Sequence, residues 1–190
     1  MMPDQLSNKE REIILCLARQ AIKQACAGID PLPVDLLTLP ERLREPGATF
    51  VTLTIDHDLR GCVGALEAYQ PLAHDVQEHA VAAALSDFRF FPVKACEVEC
   101  LEIEIYRLTS PVVLEYLNPE DLLEKLRPGV DGVLLKDGRL HATFLPQVWE
   151  KLPDPALFLN YLCQKVGAPP DQWRRKMLQV FIYRVEEFCE

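Results

Sequence analysis

Residues 50 to 64 constrain the fold of this chain more than any other segment. Val51, Leu53 and Ile55 alternate with Thr52 and Thr54, the period-two pattern of a half-buried strand. Asp56-His57-Asp58 supplies turn chemistry, and Leu59-Arg60-Gly61-Cys62-Val63-Gly64 begins a return strand. The pattern therefore predicts a hairpin. An alanine-rich helix should follow, with Pro71 at its first position, where a missing N–H costs nothing. Leu72, Val76, Ala80, Ala83 and Ala84 carry its apolar face, and it should end near Leu85.

A similar sequence of elements returns later. Val130–Leu135 and Arg139–Leu145 flank Asp137-Gly138, a strong hairpin signal. Asp154-Pro155 then opens a helix through Phe158, Leu159 and Leu162 that ends at Gly167. A hairpin leading into a helix in each half hints at a loose internal duplication. Between them, Leu101, Ile103 and Ile105 alternate with Glu102, Glu104 and Tyr106 as another strand, and Val180–Val185 reads as the last one. Ser7-Asn8-Lys9-Glu10 is a capping box for an N-terminal helix. Asp30 to Pro46 reads as a proline-rich connector, and Asn118-Pro119-Glu120-Asp121 opens a short helix. Trp149, Trp173 and Phe188 read as packing residues. The class is α+β, with mixed or mostly antiparallel sheets flanked by helices, arranged as two lobes around a cleft.

The 190 residues suit a single domain over 1–190, with a helix and connector over 1–47 and the core over 48–188. A net charge of -9 argues against bare nucleic acid or an anionic membrane as partner. Arg174-Arg175-Lys176 is the one compact basic run and reads as a solvated face. No stretch approaches the roughly 20 apolar residues of a membrane helix, and Met1 to Arg11 is polar, so the expected location is cytoplasmic. Seven cysteines, an odd number without framework spacing, fit a reducing compartment. Cys96 and Cys100 fall around a predicted strand, where four residues span about 13 Å, too far for a disulfide or a shared metal. Neither a metal nor a cofactor is expected.

The hexapeptide carries the chemistry. On a regular strand Arg60 and Cys62 would project from one face about 7 Å apart, a planar anion-binding fork beside a nucleophilic thiol. Gly61 and Gly64 would serve a bulge or a close backbone approach. Histidine at 57 is near in sequence, and folding could bring Asp87 or Arg89 to the thiol. Arg89 with Phe88, Phe90 and Phe91 could clamp a ligand, and Gln147 could line the same cleft. Plainer roles stand beside these: Cys62 as core or cleft lining, Arg60 in an internal salt bridge, the aromatic loop tucked onto the core. Asp75 and His79, four apart on the alanine-rich helix, read as a surface pair.

These residues resemble a known family. Leu59-Arg60-Gly61-Cys62-Val63-Gly64 is similar to the AMMECR-type signature Leu-Arg-Gly-Cys-Ile-Gly, with Val63 in place of isoleucine. Ser86-Asp87-Phe88-Arg89-Phe90-Phe91-Pro92-Val93 resembles the family's Asp-Pro-Arg-Phe-x-Pro-Val loop, with Phe88 where proline is usual. Asp131-Gly132-Val133, then Thr143-Phe144-Leu145-Pro146-Gln147-Val148-Trp149, Lys165, Gly167, Pro169-Pro170 and Trp173 extend the match over roughly 50–188. The resemblance implies a place in the AmmeMemoRadiSam system, beside a Memo-type protein and a radical S-adenosylmethionine protein. It implies an enzyme or enzyme subunit that binds an anionic ligand, with Arg60 and Cys62 at the centre. The alternative is a non-catalytic adaptor for a partner protein or an RNA-linked substrate.

Overall fold

The computed structural model describes residues 5–190 and divides into two compact units. The first comprises residues up to Leu108 together with Glu186–Glu190, and the second is Thr109–Val185.

In the first unit, α1 (Asn8–Cys26) starts at Ser7, whose hydroxyl accepts from the Glu10 N–H while the Glu10 carboxylate accepts from the Ser7 N–H. Its Ile14, Ala18 and Ile22 are buried at helical spacing. A short helix α2 (Glu41–Arg44) precedes β1 (Pro46–Ile55), β2 (Asp58–Gly64) and the brief β3 (Gln70–Pro71). Next come α3 (Leu72–Leu85), a 3-10 helix Ala95–Cys100 and β4 (Glu102–Leu108).

In the second unit, β5 (Val112–Val113), α4 (Pro119–Lys125), β6 (Gly132–Asp137) and β7 (Leu140–Phe144) lead to a 3-10 helix Pro146–Glu150. Helices α5 (Pro155–Val166) and α6 (Gln172–Arg175) follow, then β8 (Gln179–Tyr183). Strand β9 (Val185–Cys189) closes the chain's topology by joining the first sheet.

The first sheet runs β2–β1–β4–β9, with β3 paired to β1, and the second runs β5–β8–β6–β7. The pairs β1–β2, β1–β4, β6–β7 and β6–β8 are antiparallel, in line with the expected α+β class. The segment read as one strand over 180–185 is two strands that break at Arg184 and belong to different sheets. Cys96 and Cys100 lie on a 3-10 helix rather than around a strand, so about 8 Å of axial rise separates them, not 13.

Each unit has its own core. Val51, Leu53, Ile103 and Ile105 pack with Ile14, Ile22, Leu72, Val76 and Ala80 in the first. Val133, Leu135, Phe158, Leu162 and both tryptophans fill the second, and Phe188 joins the first, as packing residues should. The Asp75–His79 pair is not on the surface. Asp75 is fully buried, and one of its oxygens accepts from the Thr49 N–H at 2.8 Å and the Thr49 hydroxyl at 2.6 Å. The same oxygen lies 3.1 Å from His79 Nδ1. The pair fastens α3 to β1, which helical spacing alone does not reveal.

Candidate functional site

The β1–β2 turn is two residues long, since Ile55 pairs with Asp58. Asp56 and His57 both have positive φ, at 52° and 69°, the conformation a two-residue hairpin of matching twist requires. His57 is thus a turn residue, five positions from Cys62 and about 16 Å away along an extended strand. It is not brought to the thiol.

The register then slips. Thr54 pairs with Leu59 but Leu53 pairs with Gly61, which leaves Arg60 as the extra residue of a β-bulge. This bulge undoes the regular alternation that would have set Arg60 beside Cys62. The Arg60 guanidinium goes instead to Glu97, with Nε 3.0 Å from Oε1 and Nη2 3.2 Å from Oε2. It also donates to the carbonyls of Phe91 at 2.8 Å and Pro92 at 3.3 Å. Four of its five N–H groups are thereby committed to the protein. Its internal salt bridge is the geometry present, and it ties the loop after α3 to the hairpin.

Both glycines answer to close packing. A Cβ at Gly61 would lie 2.1 Å from the carbonyl oxygen of Ala83 on α3. One at Gly64 would lie 2.3 Å from the Thr49 carbonyl oxygen and 2.5 Å from Phe50 Cα. The small side chains of α3 bring its backbone onto β2, and only glycine fits beneath it.

Cys62 sits on the other face of the sheet. Its cross-strand partner Thr52 donates its hydroxyl to Cys62 Sγ at 3.3 Å. On its other side Thr52 is paired with Glu104. The Tyr106 hydroxyl donates to Glu104 at 2.9 Å, and burial, then Glu104 itself, push that phenol above its ordinary range. A row of Cys62, Thr52 and Glu104 with Tyr106 alongside therefore runs across three strands. The alternation of both strands already put Thr52 and Glu104 off the apolar phase; the pairing register that aligns them was not legible.

The loop after α3 meets Cys62 from the edge. Among the described residues strand β2 has no neighbour beyond it. There the Cys62 N–H donates to Asp87 Oδ2 at 2.8 Å, and the Cys62 carbonyl accepts from Arg89 Nη2 at 3.2 Å. Asp87 and Arg89 bind each other through Nε at 2.9 Å and Nη2 at 2.6 Å. The two side chains thus fill the place of a missing strand at this one residue. Because these backbone groups point outward, Thr52 and Cys62 form a non-hydrogen-bonded pair, the closer type, which suits the hydroxyl–sulfur contact. Asp87 is buried, and the Arg89 hydrogen bonds, aided by the Cys62 and Arg89 N–H groups, hold its carboxyl far below the usual carboxylate range.

Folding therefore assembles Cys62, Asp87 and Arg89, as the sequence allowed. The Arg89 guanidinium lies 5.4 Å from the Phe90 ring centroid. Phe88 and Phe91 are 96% and 90% exposed, so these two rings do not tuck the loop onto the core, although Val93 at its end joins it. Gln147 belongs to the second unit, exposed on the 3-10 helix 146–150. Among the described residues no cluster of three or more His, Cys, Asp or Glu side chains forms a metal-binding group. No described helix is long and apolar enough to cross a membrane.

Comparison with known proteins places the molecule. A family model described as AMMECR1 matches residues 15–188. The chain belongs to the AMMECR1 family. The match starts inside α1, well before the residues that carried the resemblance in sequence. A protein of Methanothermobacter thermautotrophicus is 36% identical, covering 97% of this chain and 96% of that one. One of Thermofilum pendens is 34% identical over 97% of this chain and 92% of its own length. The crystal structure of an uncharacterized protein from Pyrococcus horikoshii superposes with a TM-score of 0.76 at 32% identity. It matches 97% of this chain and 93% of that one. Membership in AMMECR1 gives the fold a family and leaves the chemistry to be argued from the site.

Proposed function

We propose that this AMMECR1 protein is a cytoplasmic enzyme, or a subunit of one, that uses the Cys62 thiol on a ligand bearing an anionic group. The supporting observation is the immobilisation of Cys62. Asp87 and Arg89 hold its N–H and carbonyl, while Thr52 donates to its sulfur. The Thr52 hydroxyl fixes the direction of the sulfur, the nucleophilic atom of a cysteine side chain. The anion-binding role moves from Arg60, whose fork is filled, to Arg89, which is exposed. In this reading Cys62 acts as nucleophile or proton donor, and Glu104 and Tyr106 border the reacting group. The family resemblance supports Memo-type and radical S-adenosylmethionine proteins as its working partners.

Alkylation by iodoacetamide, followed residue by residue by mass spectrometry across pH 6–9, tests the thiol. Cys62 should react at least tenfold faster than free cysteine at pH 7, and Thr52→Val should remove most of that excess. Equal rates for Cys62 and free cysteine would defeat the catalytic reading.

The adaptor reading draws on a separate observation: Arg60, Gly61 and Gly64 shape the hairpin without any chemistry at sulfur. A Cys62→Ala chain that retains full biological function would select it.

A further inference from the structure

One stripe of α1 faces the 3-10 helix Ala95–Cys100. Arg19, Lys23 and Cys26 follow the i, i+4, i+7 spacing that gathers residues on one helical face. Arg19 donates from Nη1 to the Val98 carbonyl and from Nη2 to the Leu101 carbonyl, both at 2.7 Å. One turn on, Lys23 Nζ lies 2.9 Å from Glu99 Oε1. The two elements therefore run in opposite directions, and a step toward Cys26 on α1 is a step toward Ala95 on the 3-10 helix.

Cys26 extends this stripe three residues past Lys23, about 4.5 Å along the helix axis. In a 3-10 helix residues three apart eclipse, so Cys96 shares a side with Glu99 and lies about 6 Å farther back. The two advances nearly match, and they set Cys26 opposite Cys96. The electrostatics at Cys26 agree. Burial, and then the neighbour of Cys96, Glu97, push this thiol above its ordinary range, while Arg60 opposes them.

Other pairings on these two elements fail on distance or direction. Cys96 and Cys100 are about 8 Å apart along their own axis, beyond the span of a disulfide. Cys100 lies at the Arg19 end of the contact and on another side of the 3-10 helix. Cys16 and Cys26 are ten residues apart on α1, about 15 Å.

Exposure assigns the roles. Cys96 is exposed and meets an oxidant first, whereas Cys26 is half-buried beside it. We infer that Cys26 and Cys96 form a redox clasp, closed by a hydroperoxide and reopened by a small cellular thiol. The Cys96 sulfur attacks the peroxide: an S–O bond forms, the O–O bond breaks, and with hydrogen peroxide the leaving hydroxide departs as water. The Cys26 sulfur then attacks the sulfenic sulfur. The S–S bond forms, the S–O bond breaks, and the hydroxyl leaves as a second water with the Cys26 proton. Reversible disulfides of this kind are the ones a reducing compartment permits. The clasp ties α1 to the segment bearing Glu97, whose carboxylate holds the Arg60 fork of the β1–β2 hairpin. It is independent of the chemistry proposed at Cys62.

The test treats the reduced full chain with stoichiometric hydrogen peroxide, blocks the remaining thiols with iodoacetamide and maps cross-links by mass spectrometry. Cleavage after Glu97 and Glu99 separates Cys96 from Cys100. Cys26–Cys96 should be the main cross-link, and dithiothreitol should remove it. Because the bond closes a loop of about 70 residues, oxidation should raise the unfolding temperature by about 5 °C. The rise should vanish in Cys96→Ser and persist in Cys100→Ser, both substitutions at exposed positions. A main cross-link through Cys100 or Cys62, a Cys96 sulfenic acid that persists without cross-linking, or the same rise in Cys96→Ser would each overturn the inference.

Discussion

The two units solve the same problem with opposite materials. Each lays a helix on a β-hairpin: α3 on β1–β2, α5 on β6–β7. Helix α3 buries Ala73, Ala80, Ala83 and Ala84, and its backbone comes down so far that β2 must carry glycine at 61. Helix α5 buries Phe158, Leu159 and Leu162, and a ring holds the layers apart. Phe158 stacks on Trp149 at 3.7 Å between centroids and meets Phe144 edge-on at 5.3 Å. The hairpin backbones are braced differently too. Lys165 reaches from α5 to the Thr143 carbonyl at 3.0 Å, whereas a loop carboxylate and guanidinium grip both polar groups of Cys62. The first hairpin is thus fixed by backbone proximity and ion pairing, and the second by side-chain volume.

The difference is sharpest where one atom group carries it. Phe158→Ala should show the largest effect, about 4 kcal/mol of lost stability, from the cavity left between α5 and its sheet. Tryptophan emission during chemical denaturation would read it, because both tryptophans lie in the second core. Gly61→Ala should cost about 3 kcal/mol by forcing α3 off β2, seen as faster amide hydrogen exchange in both elements. A cost near zero there would mean that α3 gives way and that the close approach is not binding.

Asp87→Asn should have a smaller cost at neutral pH, about 2 kcal/mol, with a distinctive pH signature. The folded carboxyl is held below its unfolded value, so its contribution is fully present above about pH 4 and is lost as pH falls through the folded value. Wild-type stability should therefore decline on acidification more steeply than that of Asp87→Asn. Parallel curves for the two would show that the Arg89 pairing contributes nothing.

Much of this comparison was written in the sequence, but unevenly. Alternation placed β1 and β4, and Asp154 and Gly167 bounded α5 as cap and left-handed terminator. Gly61 and Gly64 allowed for a close backbone approach, although at Gly61 not its source, the Ala83 carbonyl of α3. Arg60 shows what stayed hidden. A one-residue register slip between Leu53 and Thr54 decides which way its side chain goes, and local patterns carry no information on pairing register. The partner that fills it, Glu97, lies 37 positions downstream on a 3-10 helix just before the strand that alternation marked. Asp75 failed for a related reason. Helical spacing gave its neighbour His79, while its strongest partner, Thr49, sits across the core on another element.

Strand β9 has a consequence for how the molecule is made. It lies beside β4 in the first sheet, where Glu186 pairs with Arg11 at 2.7 Å and Arg107 at 3.2 Å and accepts from the Leu6 N–H. During synthesis the ribosome must produce all of residues 109–185 before that strand exists. Until then β4 stands as an open edge, without the Glu186 carboxylate that binds Arg11 and Arg107. The part of the chain translated first is the part completed last, so its early folding intermediate is the species a chaperone would meet.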